Sequence, residues 1–257
     1  MAAHTVVARN WATESSNRIH ADDVAAQYGF RGGLVPGVTT IAYLVPAVVA
    51  AMGHEWIGGG RLNVRLSLPV YDGETVTALA DDLGLVRMVG ASGDDDRVSA
   101  SASLDHEPAP GSEAFPVAAV PSQRPPAEPD TLAAGTVLGT LHHEASAEAV
   151  TRYLGAINEQ PFASGLDALH PGWLLLDAND ALAKSVVLGP WIHVGSDLHL
   201  LRPVRDGEPL EVRSIVTAEY ERKGHRLVEL DVLTLAAGEP ALLVHHTAIY
   251  QLRLAGV

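Results

Sequence analysis

The chain has 257 residues, of which 47% are hydrophobic and 19% are charged, a composition typical of a globular protein with a substantial core. Acidic residues outnumber basic ones 31 to 17, and the resulting net charge of −14 argues against a broad surface for nucleic acid or for an anionic membrane. The absence of cysteine excludes disulfides, thiolate metal sites and a cysteine nucleophile.

The N-terminus lacks the basic-then-apolar layout of a signal peptide. The longest apolar stretch, Ile41 to Met52, contains a proline and is too short to cross a bilayer. We therefore expect a cytoplasmic protein that does not enter membranes.

In chain order, the first predicted element is a short helix at Val24–Tyr28, with Asp22 and Asp23 as its N-cap residues. After Pro36-Gly37, the apolar run Val38–Met52 predicts a longer helix, which Pro46 should kink or shorten. Alternating and β-branched residues then predict strands at Leu62–Leu68, Glu74–Leu85 and Arg97–Asp105.

A linker from Glu107 to Asp130 follows, with seven of the sixteen prolines, and we expect it to be extended. Beyond it, the pattern predicts a strand at Thr136–His143 and a helix at Ser146–Ile157 with Ser146 as N-cap. A second apolar helix is predicted at Trp173–Leu188. The remaining predicted strands are His193–Leu201, Pro209–Tyr220, Arg226–Ala236 and Leu242–Leu252.

The two halves of the chain repeat each other. Pro-Val-x-Asp-Gly-Glu begins at Pro69 and again at Pro203, and a Pro-Gly pair opens an apolar helix at Pro36 and again at Pro171. Two motifs at nearly the same offset indicate a duplication. We predict subdomains at residues 1–106 and 131–257, joined by a linker at 107–130, in an α+β fold.

The segment from Asn17 to Gly37 resembles the MaoC-like family of R-specific enoyl-thioester hydratases. The family signature is Asp-x-Asn-Pro-apolar-His, followed by a helix and by the glycine that opens the long helix. Asn17, Ile19, His20 and Gly37 match it. The resemblance implies a double hotdog fold, in which two long helices are each wrapped by antiparallel strands.

The same resemblance implies reversible hydration of an enoyl thioester, or dehydration of a 3-hydroxyacyl thioester, carried by coenzyme A or by a carrier protein. His20 would be the acid/base, and Asn17 and Ser15 would position water or the loop. The backbone N–H of Gly37 would stabilise the thioester oxyanion. Substrate-binding candidates are Glu14, Gly33, Val35, Pro36, Tyr43 and Trp173, with Trp191 as a further aromatic that could line an acyl tunnel.

Departures from the signature leave alternatives open. Ser15 stands at the position of the family aspartate, and Arg18 stands at the proline. Ser15 cannot act as a base, whereas Glu14 could replace the aspartate if the loop is irregular. In the second half, Asn158 and Ala163 occupy the aspartate and histidine positions, so that half is expected to bind substrate or to be structural.

A non-catalytic acyl-thioester-binding or partner subunit is therefore one alternative function. A hotdog thioesterase using Glu14 or Asp177 is another. We expect no metal and no cofactor beyond the thioester. Two fused hotdogs can pair within one chain, so a monomer is feasible, and a homodimer of such units is the alternative.

Overall fold

A computed structural model describes residues 1–93, 95–105, 107, 108, 110–161 and 167–253. In this part of the chain the strands form a single antiparallel sheet, ordered β1-β3-β4-β5-β2-β7-β10-β9-β8-β6. The strands are β1 (Ala2–Val7), β2 (Gly60–Leu66), β3 (Thr75–Ala80), β4 (Leu85–Gly90), β5 (Asp96–Leu104), β6 (Leu141–Glu144), β7 (Ile192–Leu200), β8 (Pro209–Arg222), β9 (His225–Ala236) and β10 (Glu239–Gln251).

This strand order is symmetric about its centre. Reading outward from the β2–β7 pair, β5, β4, β3 and β1 of the first half match β10, β9, β8 and β6 of the second. At the centre, Asn63 pairs with Asp197 and the register runs from Arg61 to Arg65. The predicted duplication is therefore a structural duplication, and the two halves share one continuous sheet. The residue limits of the two subdomains and the linker stay a prediction.

The repeated Asp-Gly-Glu motif forms the same corner in both halves. Gly73 and Gly207 have φ values of 75° and 78°, which glycine adopts without strain. Asp72 accepts a hydrogen bond from the backbone N–H of Asn10, and Asp206 accepts one from Ala147. The motif therefore forms a turn in both halves, and each aspartate also fixes the chain that follows the outermost strand of its half.

The apolar run of each half forms two short helices instead of one long helix. In the first half these are α2 (Gly37–Ala42) and α3 (Val45–Met52), and in the second they are α5 (Pro171–Leu174) and α6 (Leu176–Ser185). The first break is explained by Pro46, because its ring nitrogen cannot donate to the carbonyl of Ala42. The second break contains no proline, so the sequence did not indicate it.

Two further α-helices are α1 (Asp22–Gln27) and α4 (Ala147–Ala156). Ser146 caps α4 by accepting a hydrogen bond from Ala149 N–H, as predicted. The predicted capping role of Asp22 and Asp23 was wrong, because Ala21 is the N-cap of α1 and both aspartates lie in its first turn. Asp22 lies inside the first turn of α1, and its carboxylate accepts a hydrogen bond from Gly33 N–H at 2.7 Å.

The helices cover one face of the sheet, and the inward-facing residues of both halves form one large core that includes Tyr43, Trp56 and Leu182. On the other face, Phe115 of the linker packs against Leu233 and Leu235 of β9. The linker therefore crosses the outer face of the second half. Strands β1 and β4 were not predicted, and the predicted strand Glu74–Leu85 extends beyond the end of β3 to the residue where β4 begins.

Candidate functional site

The candidate site is a cavity of about 210 Å³ between the two halves. Its wall is largely apolar, with residues from the loop that precedes α2, from the corner after β2 and from the start of β7. The polar side chains that line it are those of Asn17, His20, Thr40, Ser67, Asn179 and His193. An apolar cavity with a few polar groups is typical of a small-molecule site.

His20 is held in one orientation by its backbone surroundings. It ends a single 3-10 turn, Arg18–His20, that the Asn17 side chain caps by accepting from Ile19 N–H. The ring Nδ1 lies 2.7 Å from the carbonyl oxygen of Leu34. A carbonyl can only accept, so Nδ1 carries the proton and Nε2 is the unprotonated nitrogen.

The Asn17 amide lies beside that unprotonated nitrogen. Its Nδ2 is 3.3 Å from His20 Nε2 and 3.0 Å from the carbonyl oxygen of Trp191. Its Oδ1 accepts from the backbone N–H groups of Trp191 and Ile19. These four contacts fix the amide orientation, so Nδ2 donates to His20 Nε2.

Burial sets the charge of His20. Its side chain is almost inaccessible to solvent, and this burial lowers its pKa from 6.5, while the bond to the Leu34 carbonyl opposes the shift. His20 is therefore a neutral imidazole at neutral pH, with a lone pair on Nε2. A neutral imidazole of this kind can accept a proton from a molecule in the cavity.

Gly37 also lines the cavity, at the start of α2. A Cβ at this position would lie 2.6 Å from Leu66 Cδ1 and 2.7 Å from His193 Nδ1, so a side chain here would require the cavity wall to shift. The first N–H groups of a helix have no partner within the helix. The N–H of Gly37 is therefore available to an acceptor in the cavity.

Five of the residues predicted for the site line this cavity: Asn17, His20, Val35, Pro36 and Gly37. Trp191 lines it as well. The structure brings these together although the sequence separates Asn17 from Trp191 by 174 residues.

Ser15 and Glu14 are not among the lining residues. The Ser15 hydroxyl turns away to donate to the carbonyl oxygen of Asn17 at 3.1 Å, and Glu14 is exposed. No aspartate or glutamate belongs to the described lining of the cavity. The described cavity thus lacks the carboxylate that the MaoC-like signature leads one to expect.

Gly33, Tyr43 and Trp173 are also outside the lining. Gly33 packs tightly against the backbone of His20, because a Cβ there would lie 2.1 Å from the His20 carbonyl oxygen. Tyr43 is buried, and its hydroxyl donates to the carbonyl of Ile157 at 2.7 Å, while burial raises its pKa to about 12. Trp173 packs edge-on against His143 in the second half. These three residues do not line the described cavity, and their role in substrate binding stays a prediction.

The sequence reading missed His193 as a site residue. It lies on β7, and its ring lines the cavity next to Gly37. In the second half, Asn158 lies on the surface and donates to the carbonyl of Val7, while Ala163 lies outside the described residues.

Asp177, the other candidate for a thioesterase, lies away from the cavity. It is buried on α6 and forms a 2.9 Å hydrogen bond with His143. Burial raises the pKa of Asp177, and the bond to Asp177 raises the pKa of His143.

In the part of the chain that the structure covers, no three His, Asp or Glu side chains cluster as metal ligands would. Nor does any helix in those residues have the length and apolar character needed to span a bilayer.

Comparisons with solved structures identify the architecture. A conserved hypothetical protein of Mycobacterium tuberculosis with a double hotdog fold matches with a TM-score of 0.63 at 15% identity, over 95% of this chain and 93% of that one. A putative MaoC domain dehydratase from Chloroflexus aurantiacus matches with a TM-score of 0.60 at 9% identity, over 98% and 96%. A putative oleoyl thioesterase from Lactobacillus plantarum matches at 0.54 and 13%, over 97% and 96%.

Sequence comparison adds nothing to this, because no family model matches the chain and no curated protein is significantly similar. At these identities the structural likeness establishes the fold alone, and the fold is shared by dehydratases and a thioesterase. The chain is therefore a double hotdog protein of the α+β class, and its predicted resemblance to MaoC-like dehydratases is confirmed at the level of the fold.

Proposed function

We propose that the protein adds water to the α,β-double bond of an enoyl thioester, or removes it from the 3-hydroxyacyl thioester. The observation that carries this proposal is the unprotonated Nε2 of buried His20, a residue of the same cavity wall as Gly37. A base and an oxyanion donor on one cavity are the two groups that this reaction needs most.

The chemistry then follows from the assigned tautomer. Water adds its oxygen to the β-carbon, and the proton that it loses passes to His20 Nε2, which gives up its hydrogen bond from Asn17 Nδ2 to accept it. Electrons from the double bond move onto the thioester oxygen, where the N–H of Gly37 stabilises the negative charge. The imidazolium of His20 then returns the proton to the α-carbon, so one proton is moved and none is lost. Asn17 orients the imidazole through its amide.

The thioester is carried by coenzyme A or by an acyl carrier protein in this proposal. The described cavity wall supports an acyl group because most of its side chains are apolar, among them Leu34, Leu66 and Ile249. A thioesterase is less well supported, since its expected carboxylate is missing from the described wall and Asp177 is paired with His143 elsewhere.

The test is turnover of short trans-2-enoyl-coenzyme A substrates, with loss of the conjugated double bond and release of free thiol followed in one sample. We expect loss of the double bond without thiol release. His20→Ala should abolish it, and His142→Ala, which changes an exposed histidine on β6, should not. Thiol release would instead indicate a thioesterase. Binding without either signal would indicate a non-catalytic acyl-binding subunit.

A further inference from the structure

A second histidine lies in the cavity wall, and it comes from the other half of the chain. His193 is buried, with 5% of its surface exposed. Its Nε2 lies 3.0 Å from the carbonyl oxygen of Gly195 and 2.8 Å from the hydroxyl of Ser196. Because the carbonyl can only accept, Nε2 carries the proton, and Nδ1 is an unprotonated acceptor.

That acceptor has no hydrogen-bond partner among the described residues, although it is buried. It lies beside Gly37, where a Cβ would approach it to 2.7 Å. The Oδ1 of Asn179, also in the cavity wall, is buried without a partner in the same way. An unsatisfied buried acceptor is costly. Both residues line the cavity, and an occupant that donates hydrogen bonds would satisfy these acceptors.

The surroundings of His193 keep it neutral. Burial lowers its pKa to about 4. From β10, His246 stacks on it with ring centroids 4.1 Å apart, and burial lowers the pKa of His246 well below its usual value. From α2 and β2 the nearest groups are Gly37 and Leu66, which carry no charge. His193 therefore remains an acceptor throughout the neutral pH range.

We propose that His193 is a further catalytic residue, which accepts a hydrogen bond from the reacting water in place of the missing carboxylate. This inference rests on the proposed hydration. In the addition step, one hydrogen of the water leaves to His20 Nε2. The other hydrogen stays on the oxygen and becomes the hydrogen of the 3-hydroxyl group. This hydrogen is donated in a hydrogen bond to His193 Nδ1. His193 takes no proton, so its weak basicity is no obstacle.

The experiment compares His193→Leu, which removes the acceptor, with His193→Asn, whose side-chain oxygen can occupy the Nδ1 position. We expect His193→Leu to lower kcat for the enoyl thioester about 10- to 100-fold with little change in KM, and His193→Asn to recover most of that loss. The control is His246→Asn, which alters the stacked ring behind His193 but keeps an acceptor for Ser196. It should leave kcat within about threefold.

A second measurement uses the wild-type protein, so it does not depend on how a variant folds. In ¹⁵N-histidine spectra, the Nδ1 resonance that disappears in His193→Asn should shift when a 3-hydroxyacyl thioester binds. A saturated acyl thioester, which has no hydroxyl, should leave it in place.

The outcomes separate the two proposals. If the wild type does not remove the double bond, the proposed hydration fails and this inference with it. If His20→Ala abolishes turnover while His193→Leu turns over normally, hydration stands and the role of His193 is refuted. A bound 3-hydroxyacyl thioester that leaves the His193 resonance unmoved refutes that role as well.

Discussion

The side-chain amide of Asn17 forms two hydrogen bonds with the backbone of Trp191. Its Oδ1 accepts from Trp191 N–H at 3.1 Å, and its Nδ2 donates to the Trp191 carbonyl at 3.0 Å. One residue belongs to the His20 loop of the first half and the other precedes β7 of the second. The loop that orients His20 is thus fixed by the opposite half of the duplication.

This contact predicts the effect of Asn17→Asp on pH dependence. The variant keeps an oxygen for Trp191 N–H, but it places a carboxylate oxygen where Nδ2 lay, 3.3 Å from His20 Nε2. A nearby negative charge favours the imidazolium, so the pKa of His20 should rise from its lowered value. Because the proton acceptor must be neutral, activity should disappear at a higher pH on the acid side than in the wild type.

The measurement is kcat/KM against pH, together with an NMR titration of His20. Ser16→Asp is the matched control, since it adds the same charge at an exposed neighbouring position. An acid limb of Asn17→Asp that overlays the wild-type limb would contradict the assignment of His20 as the proton acceptor.

Gly37→Ala tests the start of α2. The new Cβ would lie 2.6 Å from Leu66 Cδ1 and 2.7 Å from His193 Nδ1, so the wall of the cavity must shift. We expect a loss of stability of about 1–3 kcal/mol from overpacking and a loss of turnover of at least about tenfold. Thermal unfolding and the enoyl-thioester assay measure the two effects.

Gly155→Ala is the control for that substitution. Gly155 lies in α4, where a Cβ would meet nothing within 4 Å, so alanine should stabilise the protein by about 0.5–1 kcal/mol and leave turnover unchanged. Equal turnover in Gly37→Ala and wild type would exclude a tight approach of substrate to Gly37.

Asp177→Asn separates a structural dyad from a thioesterase site. Asp177 raises the pKa of His143 through a 2.9 Å hydrogen bond, so the asparagine variant should return that pKa towards its ordinary value. Turnover of the double bond should be unchanged, because neither residue lines the cavity. An NMR titration of His143 and the combined assay check this. Thiol release that depends on Asp177 would favour the thioesterase alternative.

The sequence predicted the duplicated architecture because duplication leaves a signal that local propensity does not. The corners at Gly73 and Gly207 need both a positive φ and an aspartate that accepts from a distant backbone N–H, so their motif is kept in both halves. Helix lengths were harder to predict, since the break before α6 involves no proline. The break before α3 could be anticipated from Pro46.

At the site, motif reading identified His20 and Gly37, but it could not show which side chains of the other half reach them. His193 reaches the cavity because β7 pairs with β2 at the centre of the sheet, a contact between residues more than 120 positions apart. From its place in the signature, Ser15 was expected to position water or the loop. The structure instead turns its hydroxyl to the Asn17 carbonyl. Spacing along a loop does not determine which way a side chain points.

Buried neutral histidines also predict how stability depends on pH. Burial lowers the pKa of His170 and of His193 to about 4, below the value of about 6.5 in the unfolded chain. The unfolded state therefore binds more protons between these values. The two histidines make their full contribution to the free energy of unfolding above pH 6.5, and this contribution is lost as the pH falls towards 4. Each residue contributes up to about 2 kcal/mol of this loss by pH 5.

His143 and His245 act in a different pH window. Their pKa values are raised by Asp177 and Asp231, so the stability that they provide is complete below pH 6.5 and is lost as the pH rises through their folded-state values. Thermal unfolding should therefore show maximal stability near neutral pH and a decline from pH 6.5 to 5. His193→Asn should make that decline shallower, because asparagine does not titrate, whereas His142→Asn, at an exposed position, should not. A melting temperature that stays constant over this range in the wild type would show that these rings are not held neutral in the folded protein.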